Sequence, residues 1–307
     1  CREISADWAA QRIKGLSLGS AIINAIMPKR SGGDRQKVIK TLIDSFRYPR
    51  KGPGMMWSEA RRKVLANGGS VKLGCRVTGL VQDPISQRWT VTYTDADGAI
   101  CTARASDVIS SAPIREMMSN MTPPPRTLPR AQALKYRDFI TVALILKDRE
   151  LFDDNWIYIH DPSVKVGRIQ NFKSWSPEMV PDPSLCCYGM EYFCFEGDGT
   201  WTSSDQSLIE LAASELEKLG LARKADVIDG CVVRQPKAYP VYDDGYAEHV
   251  EAIRTEIEKS YPGFHFVGRN GMHKYNNQDH AMMTAMLAAR NIVEGKTVYD
   301  GGKVNQD

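Results

Sequence analysis

The sequence contains no run of about 18 apolar residues, which excludes an ordinary membrane-spanning helix. No secretory pattern opens it. Charge of one sign is scarce: 40 Lys and Arg face 37 Asp and Glu, and a net +3 gives no reason to expect nucleic acid as a partner. The seven cysteines (Cys1, Cys75, Cys101, Cys186, Cys187, Cys194, Cys231) have no zinc-type spacing and read as small core residues of a reducing, cytoplasmic compartment. Cys186 and Cys187 are expected as strand neighbours on opposite faces, with a vicinal disulfide as the alternative. His273 and His280 have no third ligand placed beside them, so no metal site is expected. No Ser–His–Asp or Cys–His arrangement can be placed, and no catalytic residue is assigned. No G-x-G-x-x-G occurs: Gly52-Pro53-Gly54 runs into Met55-Met56-Trp57, and Gly268-Arg269-Asn270-Gly271 has a different spacing. The chain opens at Cys1 in what reads as the interior of a domain, so an upstream part is expected. Internal repeats and low-complexity tracts are absent, and the sequence sets no oligomeric state.

What is present fits a globular protein. The 307 residues, 42% hydrophobic and 25% charged, leave room for two domains. Ser5 is an expected N-cap, and a second helix is expected over 34–46. Arg47-Tyr48-Pro49-Arg50-Lys51 is a basic loop before a helix running to about Ala66. Strand patterns follow over 71–73, 77–81 and 89–94, with a turn at 95–98, a return strand and a buried strand over 107–113. Met121-Thr122-Pro123-Pro124-Pro125 marks a boundary. Beyond it, strands are expected at 140–146, 156–160, 167–172 and 186–195. An amphipathic helix follows over 204–219, then a strand and crossing through 226–242 and a helix over 245–260.

The last stretch is the most distinctive. A short strand ends at Gly268, and a Gly- and Asn-rich loop leads to a helix from near Asn277 to Gly295, a natural C-cap. The helix is apolar nearly all round and is expected to be buried. Ala281, Ala285 and Ala289 form a seam of small side chains. The unpaired N–H groups at its start suit an anion or a carbonyl-rich ring edge.

Several segments resemble one family. The stretch 48–57 is similar to the glycine-glycine-methionine helix start of amine oxidase and protoporphyrinogen oxidase-like flavoproteins. Residues 238–242 resemble the Pro-x-Tyr strand end of that group. The form Tyr275-Asn276-Asn277-Gln278-Asp279-His280 most resembles the UDP-galactopyranose mutase branch. The resemblance implies an α/β fold with a glutathione-reductase-type FAD-binding lobe assembled from separate segments. An antiparallel, α+β substrate lobe would be inserted into it, and the N-terminal Rossmann unit would be missing. On that basis 1–50 is a helical part of the substrate lobe, 51–118 and 246–307 are FAD-lobe segments, and 119–245 is the substrate sheet.

FAD is the cofactor implied, although its ADP-binding motif is absent. By resemblance Gly268, Arg269, Gly271 and Met272 run along the flavin, and Asn277, Gln278 and Asp279 face its pyrimidine edge. A side chain at Gly271 is expected to enter the flavin's space. Gly54 and Met55 bring a second helix start toward flavin or substrate, and the Val77 backbone meets the adenine. Tyr239 and Tyr242 are substrate-pocket candidates or core aromatics. Tyr275 and His280 either face the substrate or cap and pack. Arg168 and Lys237 either meet an acidic substrate or are solvated. The implied function is hydride transfer from a small substrate to flavin N5. The alternatives are a nucleotide-sugar mutase, with the basic residues on phosphates, and a truncated, non-catalytic piece.

Overall fold

The computed structural model describes residues 46–305. Cys1, the helix expected from Ser5 and all but the last residue of the one expected over 34–46 lie outside the described residues.

Helix α1 (Gly54–Ala66) follows a turn in which Gly52 has φ +87°, and none of its residues is buried. β1 (Arg76–Gln82), β2 (Trp89–Thr94) and β3 (Ile100–Ala105) form an antiparallel meander. The Asp95 carboxylate closes its turn by accepting from the N–H groups of Asp97 and Ala99. Residues 71–73 are not a strand. β2 ends at Thr94, opposite Arg76, so nothing is left to pair with them. β4 (Val108–Ser110) leads to α2 (Ile114–Ser119), and β5 (Met121–Thr122) pairs in parallel with β1 before the prolines. α3 (Leu128–Ala133) follows.

The second sheet is antiparallel. It comprises β6 (Tyr136–Lys147), β7 (Trp156–Tyr158), β8 (Arg168–Asn171) with the short α4 (Phe172–Trp175), β9 (Leu185–Cys194) and, after α5 (Asp205–Lys218), β10 (Val227–Pro240). Their order is β10-β6-β9-β8-β7. β6 alternates strictly: Ile140, Val142, Leu144 and Leu146 are buried, while Phe139, Thr141, Ala143 and Ile145 are half-exposed. The buried face packs on Leu208, Ala212 and Leu216 of α5, whose N-cap Ser204 accepts from the Ser207 N–H. Cys186 and Cys187 are free thiols on opposite faces, and burial pushes both up to about 11. β10 is a single strand where a break was expected. Its register shifts between Gln235 and Tyr239, and Lys237 takes φ +53° in the bulge.

α6 (Tyr246–Ser260) packs on α3, and β11 (Phe264–Phe266) pairs in parallel with β4. The Gly–Asn segment is one helical turn, α7 (Gly268–Gly271), rather than an open loop. α8 (Gln278–Glu294) ends at Gly295 with φ +65°, as its cap residues predict. Its expected burial is corrected: only Thr284 is buried, and Met283 and Met286 are 43% and 49% exposed. An apolar circumference can be buried only where neighbours cover it, and the described residues cover one side. Two hydrophobic cores result, one between the second sheet and α5, the other among β1, β2, α2, α3 and α6. No helix among the described residues is long and apolar enough to cross a membrane.

Candidate functional site

The site lies where α7 crosses the end of the β4–β11 pair and meets the bulge of β10. The Val267 N–H donates to the Ser110 carbonyl (2.9 Å), which lays α7 across the tip of β4. Gly268 takes φ +75°, donates its N–H to Thr284 Oγ1 (2.9 Å) and accepts from Asn276 Nδ2 (3.2 Å). This bond accounts for the burial of Thr284 inside α8. Gly271 is required for a different reason: a Cβ there would lie 2.5 Å from the Ser110 carbonyl oxygen. The absent side chain makes room for β4.

Arg269 joins the lobes. Its Nε donates to the Asn276 carbonyl (2.8 Å) and its Nη1 to the Ala238 carbonyl (3.1 Å) in β10. Its guanidinium lies 4.9 Å from the ring centres of both Tyr239 and Tyr275, which stack at 5.6 Å and 10°. Both of these hydrogen-bond partners are neutral carbonyls, so neither offsets its charge. Burial, then the neighbouring Tyr275, raises the Tyr239 phenol above its ordinary pKa. Asn270 donates to the Lys237 carbonyl (2.8 Å), while Lys237 Nζ pairs with Glu116 (2.8 Å).

Beneath this layer is a packed aromatic floor. Tyr242 is 3% exposed, stacks on Tyr246 at 4.4 Å and accepts the Tyr275 N–H (2.7 Å). It therefore supports the site from below. His273 is 2% exposed and contacts Tyr136 edge-on at 5.0 Å. Burial lowers its pKa to about 4, so the ring is neutral, and burial pushes the Tyr136 phenol up to about 12. At the start of α8 the His280 Nδ1 accepts from the Asn277 N–H (3.2 Å), which places His280 in a capping box. Asn277, Gln278 and Asp279 are exposed there, and the N–H groups of the latter two find no acceptor among the described residues. Met272 is half-buried beside Asn276.

On the open face of the second sheet Arg168 pairs with Glu191, which is fully buried and also accepts from Gln170. Burial works against the charge of Arg168, but the Glu191 carboxylate outweighs it and holds its pKa high. The fold thus gathers Gly268, Arg269, Gly271, Met272, Tyr239, Tyr275 and Arg168 around one corner. Gly54, Met55 and Val77 make none of the contacts described so far. A Cβ on Gly54 would meet nothing within 4 Å, Met55 accepts from the Lys51 N–H (3.2 Å), and the Val77 carbonyl accepts from Asn120 (3.1 Å). Sequence reasoning missed Glu191, Asp138 and Asn276. A carboxylate inside the otherwise apolar run 185–194 was the one available signal; the others depend on long-range pairing.

The corner fits the ring end of a flavin. Buried Oδ1 atoms of Asn270 and Asn276 lack partners, and the N–H groups at the start of α8 are free to meet acceptors. No group of three or more His, Cys, Asp or Glu among the described residues could hold a metal ion.

Comparison with known proteins accords with this geometry. Solved structures similar to this chain include reduced UDP-galactopyranose mutase, with a TM-score of 0.67 and 18% identity over 84% of this chain and 56% of that one. A protein of Exiguobacterium sp. 255-15 assigned as a protoporphyrinogen oxidase aligns with a TM-score of 0.59 and 16% identity, covering 78% and 51%. The CLA-producing fatty acid isomerase from P. acnes gives 0.54 and 10%, covering 79% and 52%. The chain spans about half the length of these structures. At such identities the likeness is one of fold: an FAD-dependent oxidoreductase fold with an antiparallel sheet. No curated protein matches by sequence. Residues 45–293 match the model of the flavin containing amine oxidoreductases, and the chain belongs to that family.

Proposed function

We propose that this chain forms the flavin-ring wall and the substrate wall of an FAD-dependent oxidoreductase acting on a small molecule. The observation that carries the proposal is Arg269, held by two carbonyls from different elements and laid against Tyr239 and Tyr275. Bound FAD would supply a two-electron acceptor for substrate hydride. The rest is the work of side chains and backbone. Arg269 and the free N–H groups of Gln278 and Asp279 would favour negative charge on a ring bound at the corner. The Tyr239–Tyr275 pair offers a flat apolar surface beside it. Asn270 and Asn276 would present acceptors to ring N–H groups. His273, neutral and packed below, would hold the floor rather than move a proton.

FAD titration of the full chain tests this. The expected result is uptake with a flavin absorbance spectrum, weakened about tenfold or more in Arg269→Ala through loss of charge-assisted contacts. Anaerobic bleaching by an amine or a porphyrinogen would then identify the reductive substrate. No uptake by the full chain, or equal uptake by Arg269→Ala, would overturn the proposal. The surplus of guanidinium groups near Tyr239 favours a second reading, a nucleotide-sugar mutase without net redox. Conversion of a UDP-sugar only with pre-reduced flavin would distinguish it.

A further inference from the structure

The chain turns back after Gly295, and residues 296–305 run along α8 toward the segment that carries Tyr275. Asn291 fixes the return. Its Oδ1 accepts from the N–H groups of Val298 and Tyr299 (2.9 Å each), and its Nδ2 donates to the Tyr299 carbonyl (2.7 Å). One turn of 3-10 helix follows at Gly301–Lys303, begun by the Asp300 carboxylate, which accepts from the Gly302 N–H (2.8 Å). This turn lies beside Thr284: a Cβ on Gly301 would be 3.9 Å from the Thr284 Cβ. Lys274 Nζ donates to the carbonyls of Gly302 (2.8 Å) and Val304 (2.5 Å). Asn305 Nδ2 then donates to the Tyr275 carbonyl (3.1 Å).

None of residues 296–305 is buried, and none belongs to either hydrophobic core. Polar bonds from Lys274, Asn291 and Asn305 therefore hold the segment, and a segment held that way opens at a lower free energy than a core strand. What it holds is exacting. Tyr239 is fixed by the pairing of β10 with β6, but Tyr275 lies between α7 and α8, outside any helix or strand. Its ring is nevertheless within 10° of parallel to Tyr239, which requires a fixed backbone. Its N–H is fixed by the Tyr242 hydroxyl and its carbonyl by Asn305. The next carbonyl, of Asn276, is taken by Arg269.

We propose that residues 296–305 form a strap that sets Tyr275 parallel to Tyr239, with Lys274, Asn291 and Asn305 as positioning residues for that aromatic pair. The strap opens while both cores stay closed. When it opens, Tyr275 turns away from Tyr239 and Arg269 loses one of its two aromatic faces. One consequence rests on the flavin reading of the corner: a ring bound there and a closed strap favour each other.

The test is fluorine NMR of the flavin-free full chain labelled with fluorotyrosine, joined to amide hydrogen exchange. The resonances of Tyr239, Tyr275 and Tyr299 are assigned by replacing each in turn with Phe. Lys274→Met removes two charge-assisted bonds, so exchange in 296–305 should speed up about tenfold or more and the Tyr299 resonance should move. The Tyr239 and Tyr275 resonances should move with it, while exchange in β2 and β9 stays at the wild-type rate. Lys274→Arg, which still donates to both carbonyls, should restore the wild-type spectrum in large part. Asn305→Ala should move Tyr239 and Tyr275 by itself, and it carries the test if Lys274→Met fails to fold. A released strap with both resonances unmoved overturns the proposal, and so does exchange in β2 and β9 that rises together with that of the strap. In the flavin-loaded protein Asn305→Ala should weaken FAD about fivefold, the loss of one hydrogen bond. Moved resonances in a chain that takes up no FAD would remove the flavin reading and leave the strap standing. FAD uptake with unmoved resonances would do the reverse.

Discussion

A glycine can be kept for its backbone freedom or for the absence of its side chain, and the two demands separate at Gly268 and Gly271. Gly268 sits at φ +75°, where a Cβ is strained by its own carbonyl, whereas Gly271 faces the Ser110 oxygen at 2.5 Å. Gly271→Ala must push β4 and α7 apart, and overpacking of this kind costs about 1–3 kcal/mol. Gly54→Ala, with nothing within 4 Å, should be neutral or stabilise by up to about 1 kcal/mol through helix propensity. Urea unfolding of the two variants checks this; equal shifts would mean that contact with Ser110 does not decide the cost. His273 gives a residue-scale pH dependence. Its pKa is about 4 in the fold against 6.5 for an unburied histidine. A lowered pKa means the unfolded chain binds the proton first, so stability is full above about pH 6.5 and falls as pH drops toward 4. The loss is about 3 kcal/mol over that window. His273→Asn, which tolerates the left-handed φ of +46° there, should remove this part of the slope between pH 7 and 5. An unchanged slope would place the acid sensitivity elsewhere. None of this was legible in the sequence, where His273 was one of two unplaced histidines.

At the scale of elements, legibility followed locality. α5 shows its apolar stripe and its Ser204 cap in sequence, and the 95–98 turn shows its Asp and Gly, because each is settled by neighbours along the chain. The β10 bulge is settled by tertiary partners and left no trace. Asp138, 3% exposed on β6, accepts from the N–H groups of Lys237 (2.7 Å) and Glu196, which holds the kink that carries Tyr239 toward Arg269. Asp138→Ala would leave two part-buried donors unmet at a cost of about 3 kcal/mol. It should also lower FAD affinity without touching the ligand, while Asp138→Asn, which keeps one acceptor, should lose less. Full affinity in a folded Asp138→Ala would show that the bulge does not position Tyr239. α8 failed in the opposite direction. Its ends were legible from Asn277 and Gly295, but burial is a property of what surrounds a helix, and composition could not say that only Thr284 would be enclosed.

At the scale of the molecule, the order of segments revealed an α/β part and an antiparallel part, but not how they are joined. The join is β6. It gives Tyr136 to the core of the first lobe and Ile140 to Leu146 to the core of the second. Among the described residues no other strand contributes buried residues to both cores, so each should open with its own free energy. Leu144→Ala, deep in the second core, should cost about 2–5 kcal/mol by leaving a cavity there. A loss of about 3 kcal/mol would speed amide exchange in β9 by about 100-fold and leave β2 unchanged. Met118→Ala, fully buried in the other core, should do the reverse. Hydrogen exchange followed by mass spectrometry separates peptides from the two strands. If either variant accelerates both strands equally, β6 transmits the whole unfolding free energy and the lobes form one cooperative unit. If the lobes open separately, the corner built by Arg269, Ala238 and Tyr239 is where they are held together, and binding at that corner should slow exchange on both sides at once.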